Sequence, residues 1–476
     1  MSSGFEDEIR GLLCEQIRQK LIIGQDNEHF RDLFETYCQK FKTLAEIVTS
    51  PQILLAHRDP WHFLAALLAA IAQNCPVFLC NPHWQQREWE QVGAILQPNY
   101  AIGHIPDFLA ISPLAQGKAL PSQAVMIPTG GSSGKIRFAI HSWQTLSASV
   151  QGFCQFFEVK SVNSCCVLPL YHVSGLMQFL RSFVTQGQFW LGSHKTLQQD
   201  FPIDIFPENW FISLVPSQLQ DLLLHLDPVL NRLLTRFGTI LLGGAPVWES
   251  LLTQARISSL KLALTYGMTE TGSQVVTLKP QDFLKGHGSS GQVLPHAVIQ
   301  IQNEQIQNEA AKRLPINNQG IITIKTKSQY LGYYPHLQDQ RMPLLTDDLG
   351  FFDRDGYLYI CGRISLKIIS GGENIYPIEV ESALFATKLV QDVAVVGIPD
   401  RIWGQAIAAI YVPASSKILP EAIKSVLKYQ ISGYKIPKYW LWVERLPRNS
   451  QGKLSYPQLT QWAIERLKID KCKESS

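Results

Sequence analysis

The chain has 476 residues, 46% hydrophobic and 17% charged, with a formal net charge of +3. That length exceeds one ordinary core and that composition excludes a disordered chain, so two or more globular domains are expected. So small a net charge gives no electrostatic case for nucleic acid or an anionic membrane as partner.

Residues 1–10 are acidic and carry no apolar run, so no secretory signal is expected. From 1 to about 120, helical patterns alternate with short apolar runs, as in an α/β layer. The most apolar stretch, 63–72, is too short to span a bilayer and ends at Gln73-Asn74-Cys75-Pro76. It reads as a buried helix leading into a short strand at 77–80. Strands are expected at 124–127, 165–168, 210–215 and 239–242 with helices between them, the order of parallel sheets covered by helices. Residues 290–362 turn strand-rich, at 298–301, 321–325 and 357–361, as in a smaller antiparallel sheet or distorted open barrel. After Arg363 come a Gly-Gly turn, a helix at 377–385 and strands near 393–397 and 406–412. The expected fold class is α/β: a large N-terminal domain over 1–363, with parallel-rich sheets, covering helices and a small distorted barrel, then a small α+β C-terminal domain over 364–476. Nine cysteines, an odd number with no Cys-x-x-Cys pair, suit buried thiols in a reducing cytoplasm better than disulfides or zinc.

Several segments carry chemistry. The strand at 124–127 runs into Pro128-Thr129-Gly130-Gly131-Ser132-Ser133-Gly134-Lys135. Glycines let backbone approach a ligand, and successive N–H groups can form an anion-binding concavity. Thr129, Ser132 and Ser133 add hydroxyls; Lys135 and Arg137 add charge. A Gly/Ser run is more often a plain flexible loop, but its place straight after a buried strand favours phosphate. Ile136 follows Lys135, so this is not the Gly-Lys-Ser/Thr nucleotide loop. Leu241-Leu242-Gly243-Gly244-Ala245-Pro246 ends a strand in small residues, against which a flat base can lie. Thr265-Tyr266-Gly267-Met268-Thr269-Glu270-Thr271-Gly272 offers an aromatic face, a hydroxyl and a carboxylate. Glu270 is a candidate Mg²⁺ ligand, the alternative being a solvated surface turn. Asp348 and Arg363 are candidates for ribose hydroxyls, the alternative being a plain hairpin turning at Asp355-Gly356. In the small domain, Gly371-Gly372-Glu373-Asn374 forms a turn. Lys453 closes Arg448-Asn449-Ser450-Gln451-Gly452-Lys453, from which it can reach an interdomain cleft.

In this order, the segments resemble the adenylate-forming superfamily of acyl-CoA synthetases, peptide-synthetase adenylation domains and beetle luciferases. The match runs from Thr129 to Lys453. It implies an ATP-dependent enzyme that makes an acyl-adenylate and passes the acyl group to a thiol, with ATP, Mg²⁺ and coenzyme A, and a C-terminal domain that moves. By resemblance, Ser132 and Ser133 grip the β/γ-phosphates, helped by Thr129 and Gly134. Gly243, Gly244, Ala245, Tyr266 and Gly267 border the adenine, and Asp348 and Arg363 take the ribose. Thr269 and Glu270 hold the α-phosphate and Mg²⁺, Lys453 bridges carboxylate and α-phosphate, and His172 joins the catalytic set. Gly371 and Gly372 line the thiol tunnel. Two positions depart from the pattern. The phosphate loop ends Gly134-Lys135-Ile136-Arg137 rather than Gly-x-Pro-Lys, and Leu366 stands at the hinge in place of Asp or Lys, with Lys367 beside it.

Within the superfamily, Pro169-Leu170-Tyr171-His172-Val173-Ser174-Gly175-Leu176 and Gly267-Met268-Thr269-Glu270-Thr271-Gly272-Ser273-Gln274-Val275-Val276 resemble the 2-succinylbenzoate–CoA ligases of menaquinone and phylloquinone synthesis. Ser174, Gly175, Ser273 and Arg181 are then the substrate contacts. Arg181 stands in an otherwise apolar helical pattern, and a buried arginine needs an anionic partner. That partner is either a protein carboxylate or the second carboxylate of a dicarboxylic substrate. The partners expected are a small carboxylic acid, ATP and coenzyme A, with no nucleic acid and no stable membrane anchor. Other aryl- or acyl-CoA synthetases and carrier-loading enzymes are alternatives, though Tyr171-His172-Val173-Ser174 lacks the Phe-Asp-x-Ser aspartate that holds an amino acid. A non-catalytic nucleotide-binding protein is a third reading, opposed by Lys453, Glu270 and Asp348.

Overall fold

The computed structural model describes residues 3–20, 22–24, 26–114, 120–130, 135–199, 209–303, 315–340, 342–415, 418–449 and 452–467. Two sheets build most of the large part. One has seven strands, in the order His336–Leu337, Gly332–Tyr333, Ile136–Ser142, Ala124–Gly130, Val77–Leu79, Ile53–Ala56 and Tyr100–Gly103. Its last four are parallel and the others antiparallel. The second has eight strands and is parallel from Ile22–Ile23 through Phe189–Leu191, Ser164–Cys166, Phe211–Leu214 and Thr239–Leu242 to Leu262–Met268. Ser273–Thr277 and Gln292–Val293 add antiparallel strands at that edge.

The helices Asn27–Ile47, Pro60–Ala72, Trp143–Phe157 and Val173–Thr185 share one core with strands of both sheets. Pro60–Ala72 begins cleanly because Asp59 accepts bonds from the Trp61 and His62 amides and Pro60 needs no donor there. Residues 63 to 72 are all buried, as an all-apolar helix must be.

Ala297–Gln302, Gly320–Thr326, Leu344–Phe352 and Leu358–Arg363 form a four-stranded antiparallel sheet. Among the described residues it is an open sheet. A bridge between Gly291 and Leu358 ties its last strand to the eight-stranded sheet. After Arg363 a smaller sheet joins Ile368–Ser370, Glu373–Ile375, Val390–Asp400, Gly404–Pro413 and Tyr439–Trp442, with the helices Pro377–Ala386 and Tyr456–Arg466 packed on Val390–Asp400. The architecture is α/β, with a large N-terminal part and a smaller C-terminal one. The two share apolar packing, with Trp248 stacked on Phe385 at 4.4 Å between ring centroids. Among the described residues no helix is long and apolar enough to cross a membrane.

Candidate active site

Thr129 sits near the end of the strand Ala124–Gly130 and pairs with Arg137 of Ile136–Ser142. Gly131, Ser132, Ser133 and Gly134 lie outside the described residues. Arg137 is exposed, and its Cζ lies 4.1 Å from the centre of the Tyr333 ring, a cation–π contact. The Tyr333 hydroxyl donates to Glu270 Oε1. Burial, then the Glu270 charge, pushes that phenol above its ordinary range, so it stays a donor.

Glu270 occupies a short 3₁₀ turn, Thr269–Thr271, between Leu262–Met268 and Ser273–Thr277, and is buried. The turn is held from several sides. His141 Nε2 donates to the Thr269 carbonyl at 2.7 Å, and burial keeps the ring neutral, with its pKa lowered to about 4. Ser149 donates to the Gly272 carbonyl at 2.9 Å and Ser328 to the Thr271 carbonyl at 2.7 Å. Gly272 adopts φ 61°, the left-handed region a glycine enters freely. Gly267 is needed for close approach, since a Cβ there would lie 2.2 Å from the Ser273 carbonyl oxygen.

Asp348 and Arg363 face each other across adjacent strands. Asp348 is buried. Its Oδ2 accepts from the Tyr266 hydroxyl at 2.8 Å and its Oδ1 from Arg363 Nε at 2.9 Å. Desolvation by the surrounding protein opposes the Arg363 charge although its side chain is half exposed, yet Asp348 leaves its pKa raised overall. The hairpin turn at Asp355-Gly356 also forms, with Asp353 accepting from the amides of Asp355 and Tyr357. The hairpin is therefore the scaffold that sets Asp348 against Arg363.

Gly243 packs so tightly that a Cβ would lie 2.2 Å from Thr265 Oγ1. A Cβ on Gly244 would stand 3.9 Å from Lys453 Cε, so Lys453 crosses from the small part to the Gly243-Gly244-Ala245 strand end. The Lys453 side chain is open to solvent, but protein walls the cleft around it. Desolvation, then Arg363, lowers its pKa, while Glu270 and Asp348 oppose the shift. His172 occupies the N-cap of the helix Val173–Thr185, and both of its buried ring nitrogens lack a protein partner among the described residues. Desolvation, then the Lys453 charge, lowers its pKa to about 3, so the imidazole is neutral. Lys453, His172, Glu270, Asp348, Arg363 and Gly244 thus converge, and the cleft can receive an anion beside a flat group.

Behind His172, Ser174 opens the same helix, and Gly175 packs where a Cβ would lie 2.2 Å from the Pro169 carbonyl oxygen. Arg181 is 2% exposed. Its Nη2 donates to Gln274 Oε1 at 2.7 Å and to Ser273 Oγ at 3.0 Å, and its guanidinium lies 4.2 Å from the Phe153 ring centre. Among the described residues no carboxylate pairs with it, and its Nε has no acceptor. Burial lowers its pKa to about 10. Ser273 holds φ 122°, a strained value for a residue with a side chain.

Gly371 and Gly372 turn between Ile368–Ser370 and Glu373–Ile375 at φ 59° and 86°. A Cβ on Gly371 would lie 2.7 Å from the Trp403 ring, while one on Gly372 would meet nothing within 4 Å. This turn belongs to the small sheet and lies beside Trp403. Leu366 ends the short helix Ile364–Leu366, and the neighbouring Ser365 amide donates to Asp347 Oδ1 at 3.0 Å. Tyr333, His141 and Asp347 join the site without a signal in the sequence. Each acts through a partner distant in sequence, and no local spacing marks them.

Two family models match the chain: AMP-binding enzyme over residues 112–334, and AMP-binding enzyme C-terminal domain over 379–453. The 2-succinylbenzoate–CoA ligase of Geobacillus sp. (strain WCH70) is 26% identical over 471 residues, spanning 92% of this chain and 93% of its own length. That of Enterococcus faecalis (strain ATCC 700802 / V583) is 33% identical over 346 residues, 71% of this chain and 70% of its own. In fold, the chain is similar to o-succinylbenzoate CoA synthetase of Bacillus subtilis in complex with its acyl-adenylate intermediate. The TM-score is 0.76 at 24% identity, covering 92% of this chain and 94% of that one. The Bacillus subtilis protein has also been solved with ATP and a magnesium ion. The chain belongs to the AMP-binding enzyme family of adenylate-forming acid–thiol ligases.

Proposed function

We propose that the enzyme joins 2-succinylbenzoate to coenzyme A through an acyl-adenylate, in menaquinone or phylloquinone synthesis. The observation that carries the substrate is Arg181. It is buried without a protein carboxylate among the described residues, bonded to Ser273 just after the turn that carries Glu270. A dicarboxylic acid supplies the missing anion and leaves its other carboxylate to react. The names of the relatives point the same way.

Adenylation brings a carboxylate against the phosphate chain of ATP, so the enzyme must align two anions and offset their repulsion. In this reading Asp348 and Arg363 hold the ribose, and the strand end Gly243-Gly244-Ala245 takes the adenine. Tyr266 keeps Asp348 in place. Thr269 and Lys453 meet the α-phosphate, and Lys453 also meets the attacking carboxylate. Thr129, Ser132, Ser133 and Gly134 hold the outer phosphates with Arg137 at their edge. His172, neutral, orients by hydrogen bonding rather than by charge. One buried carboxylate whose bond among the described residues comes from Tyr333 suits Mg²⁺, which takes few protein ligands and completes its shell with phosphate and water. Held by Glu270, Mg²⁺ would neutralise phosphate charge. We place the domain boundary between Arg363 and Ile364, with rotation of residues 364–476 bringing Gly371 and Gly372 to the thiol for the second step. The described cysteines are free thiols, which supports a reducing, cytoplasmic setting. A panel of carboxylic acids scored for acid-dependent AMP release with coenzyme A tests the proposal. The strongest response is expected from 2-succinylbenzoate; a response only to monocarboxylic acids would replace it.

A further inference from the structure

We propose that Asp392 and Arg448 form a clamp that positions the turn carrying Lys453. The inference rests on the adenylation role given to Lys453 above. Arg448 Nη2 donates to Asp392 Oδ1 at 2.7 Å and its Nε contacts Oδ2 at 3.3 Å. Its Nη1 donates to the carbonyl oxygen of Gly452 at 2.9 Å. A guanidinium presents its donors in a rigid planar fork, so two bonds to one carboxylate fix where the remaining donor points. Here it points at the residue immediately before Lys453. Both side chains are largely buried, at 22% and 20% exposure, which shields the pair from the screening that weakens surface ion pairs.

The turn is closed on itself as well. Asn449 Oδ1 accepts from the Lys453 amide at 2.9 Å, and the Asn449 amide donates to the Lys453 carbonyl at 3.0 Å. Beyond the lysine, Tyr456 donates to Glu381 at 2.8 Å, and Glu381 also accepts from the Val395 amide at 2.8 Å. Arg448 before the lysine and Tyr456 after it therefore both tie the turn to the strand Val390–Asp400, directly or through the helix Pro377–Ala386. On its outer side the turn meets the large domain. Gly452 has φ 71°, and a Cβ there would stand 2.8 Å from Ser217 Oγ and 3.0 Å from Val215 Cγ2. Backbone packed this near Val215 and Ser217 leaves no room for a side chain and little slack. A turn that wandered by an ångström would miss its seat and carry the ammonium away from the reacting atoms. Asp392 and Arg448 are thus positioning residues acting through Lys453.

The test uses the full-length enzyme and separates the half-reactions. Asp392→Asn and Arg448→Gln are each expected to lower the turnover rate of acyl-adenylate formation about 10–100-fold, the cost of roughly an ångström of misplacement. The KM for ATP should stay within about twofold, and transfer from supplied acyl-adenylate to coenzyme A should stay near normal. In a Lys453→Ala background, Asp392→Asn should cost nothing further. Two variants are used so that poor folding of one leaves the other to be read. Normal adenylate formation in a folded variant overturns the clamp. Equal losses in both half-reactions, or a full additional loss in the Lys453→Ala background, also overturn it and leave a purely structural ion pair. Lys453→Ala with undiminished adenylate formation overturns the role of the lysine itself, a result distinct from failure of the clamp.

Discussion

Two side chains carry the sharpest chemical expectations at the residue scale. Glu270 is buried, holds one bond from Tyr333 and faces the cleft that Lys453 enters. Glu270→Gln keeps the shape and removes the charge, so adenylate formation should fall by about 10²–10³. Raised Mg²⁺ should recover part of that loss, and near-normal rates at low Mg²⁺ would remove Glu270 from the site. Arg181 has a hydroxyl and an amide oxygen as acceptors, neither of them charged. A charged hydrogen bond to substrate is worth about 1.5–3 kcal/mol. Arg181→Ala should therefore cut kcat/KM about ten- to hundredfold for the dicarboxylic acid and far less for a monocarboxylic analogue. Equal losses for both acids would assign the arginine to packing. Arg137, stacked on Tyr333, keeps a positive charge where the family pattern has lysine, and its planar group rests on the phenol that holds Glu270.

Elements explain why these groups stay where they are. The Thr269–Thr271 turn projects a carboxylate because His141, Ser149 and Ser328 satisfy its carbonyls from below. In the small domain, the helix Pro377–Ala386 buries Glu381 against Val390–Asp400. Burial raises the Glu381 pKa from 4.5 to about 7, the bonds from Val395 and Tyr456 opposing the rise. The folded chain therefore keeps a proton that the unfolded chain releases. Its stabilising effect is fully present below about pH 4.5 and is lost as pH rises towards 7. At roughly 1.4 kcal/mol per unit, the change is at most about 3 kcal/mol. Glu381→Gln should flatten this dependence between pH 4.5 and 7 in urea unfolding of the full chain. An unchanged slope would show that Glu381 ionises normally.

On the scale of the whole molecule, the two domains meet through apolar contact at Trp248 and Phe385 and through the lysine turn at Val215 and Ser217. This arrangement puts Lys453 beside Gly244 and keeps Gly371 against Trp403 in the small sheet. If the small domain rotates between steps, Lys453→Ala should slow acyl-adenylate formation about 10²–10³-fold while transfer from supplied adenylate to coenzyme A stays near normal. Gly372→Leu should do the reverse. A Cβ at Gly372 meets nothing within 4 Å here, so adenylation loses little beyond the strain of a side chain at φ 86°, about 1–2 kcal/mol. A single-turnover assay with pre-made adenylate reads both variants. Equal slowing of both steps by Lys453→Ala would exclude rotation.

Periodic features were legible along the chain. The all-apolar run at 63–72 became a buried helix, and the apolar runs at 124–127 and 239–242 became buried sheet strands. Gly243 and Gly244 follow the second of those strands, and glycine placement, like side-chain periodicity, is a local property. Tertiary structure alone decided the pairings. Tyr333 meets Glu270 across 63 residues, Arg181 meets Gln274 across 93 and His141 meets Thr269 across 128. It also decided that Arg181 has hydroxyl and amide partners, a choice that burial in an apolar helix left open. A hydrogen-bond partner is chosen by which chain segments pack together. One-dimensional pattern records which face of a segment is buried, not which distant segment will cover it.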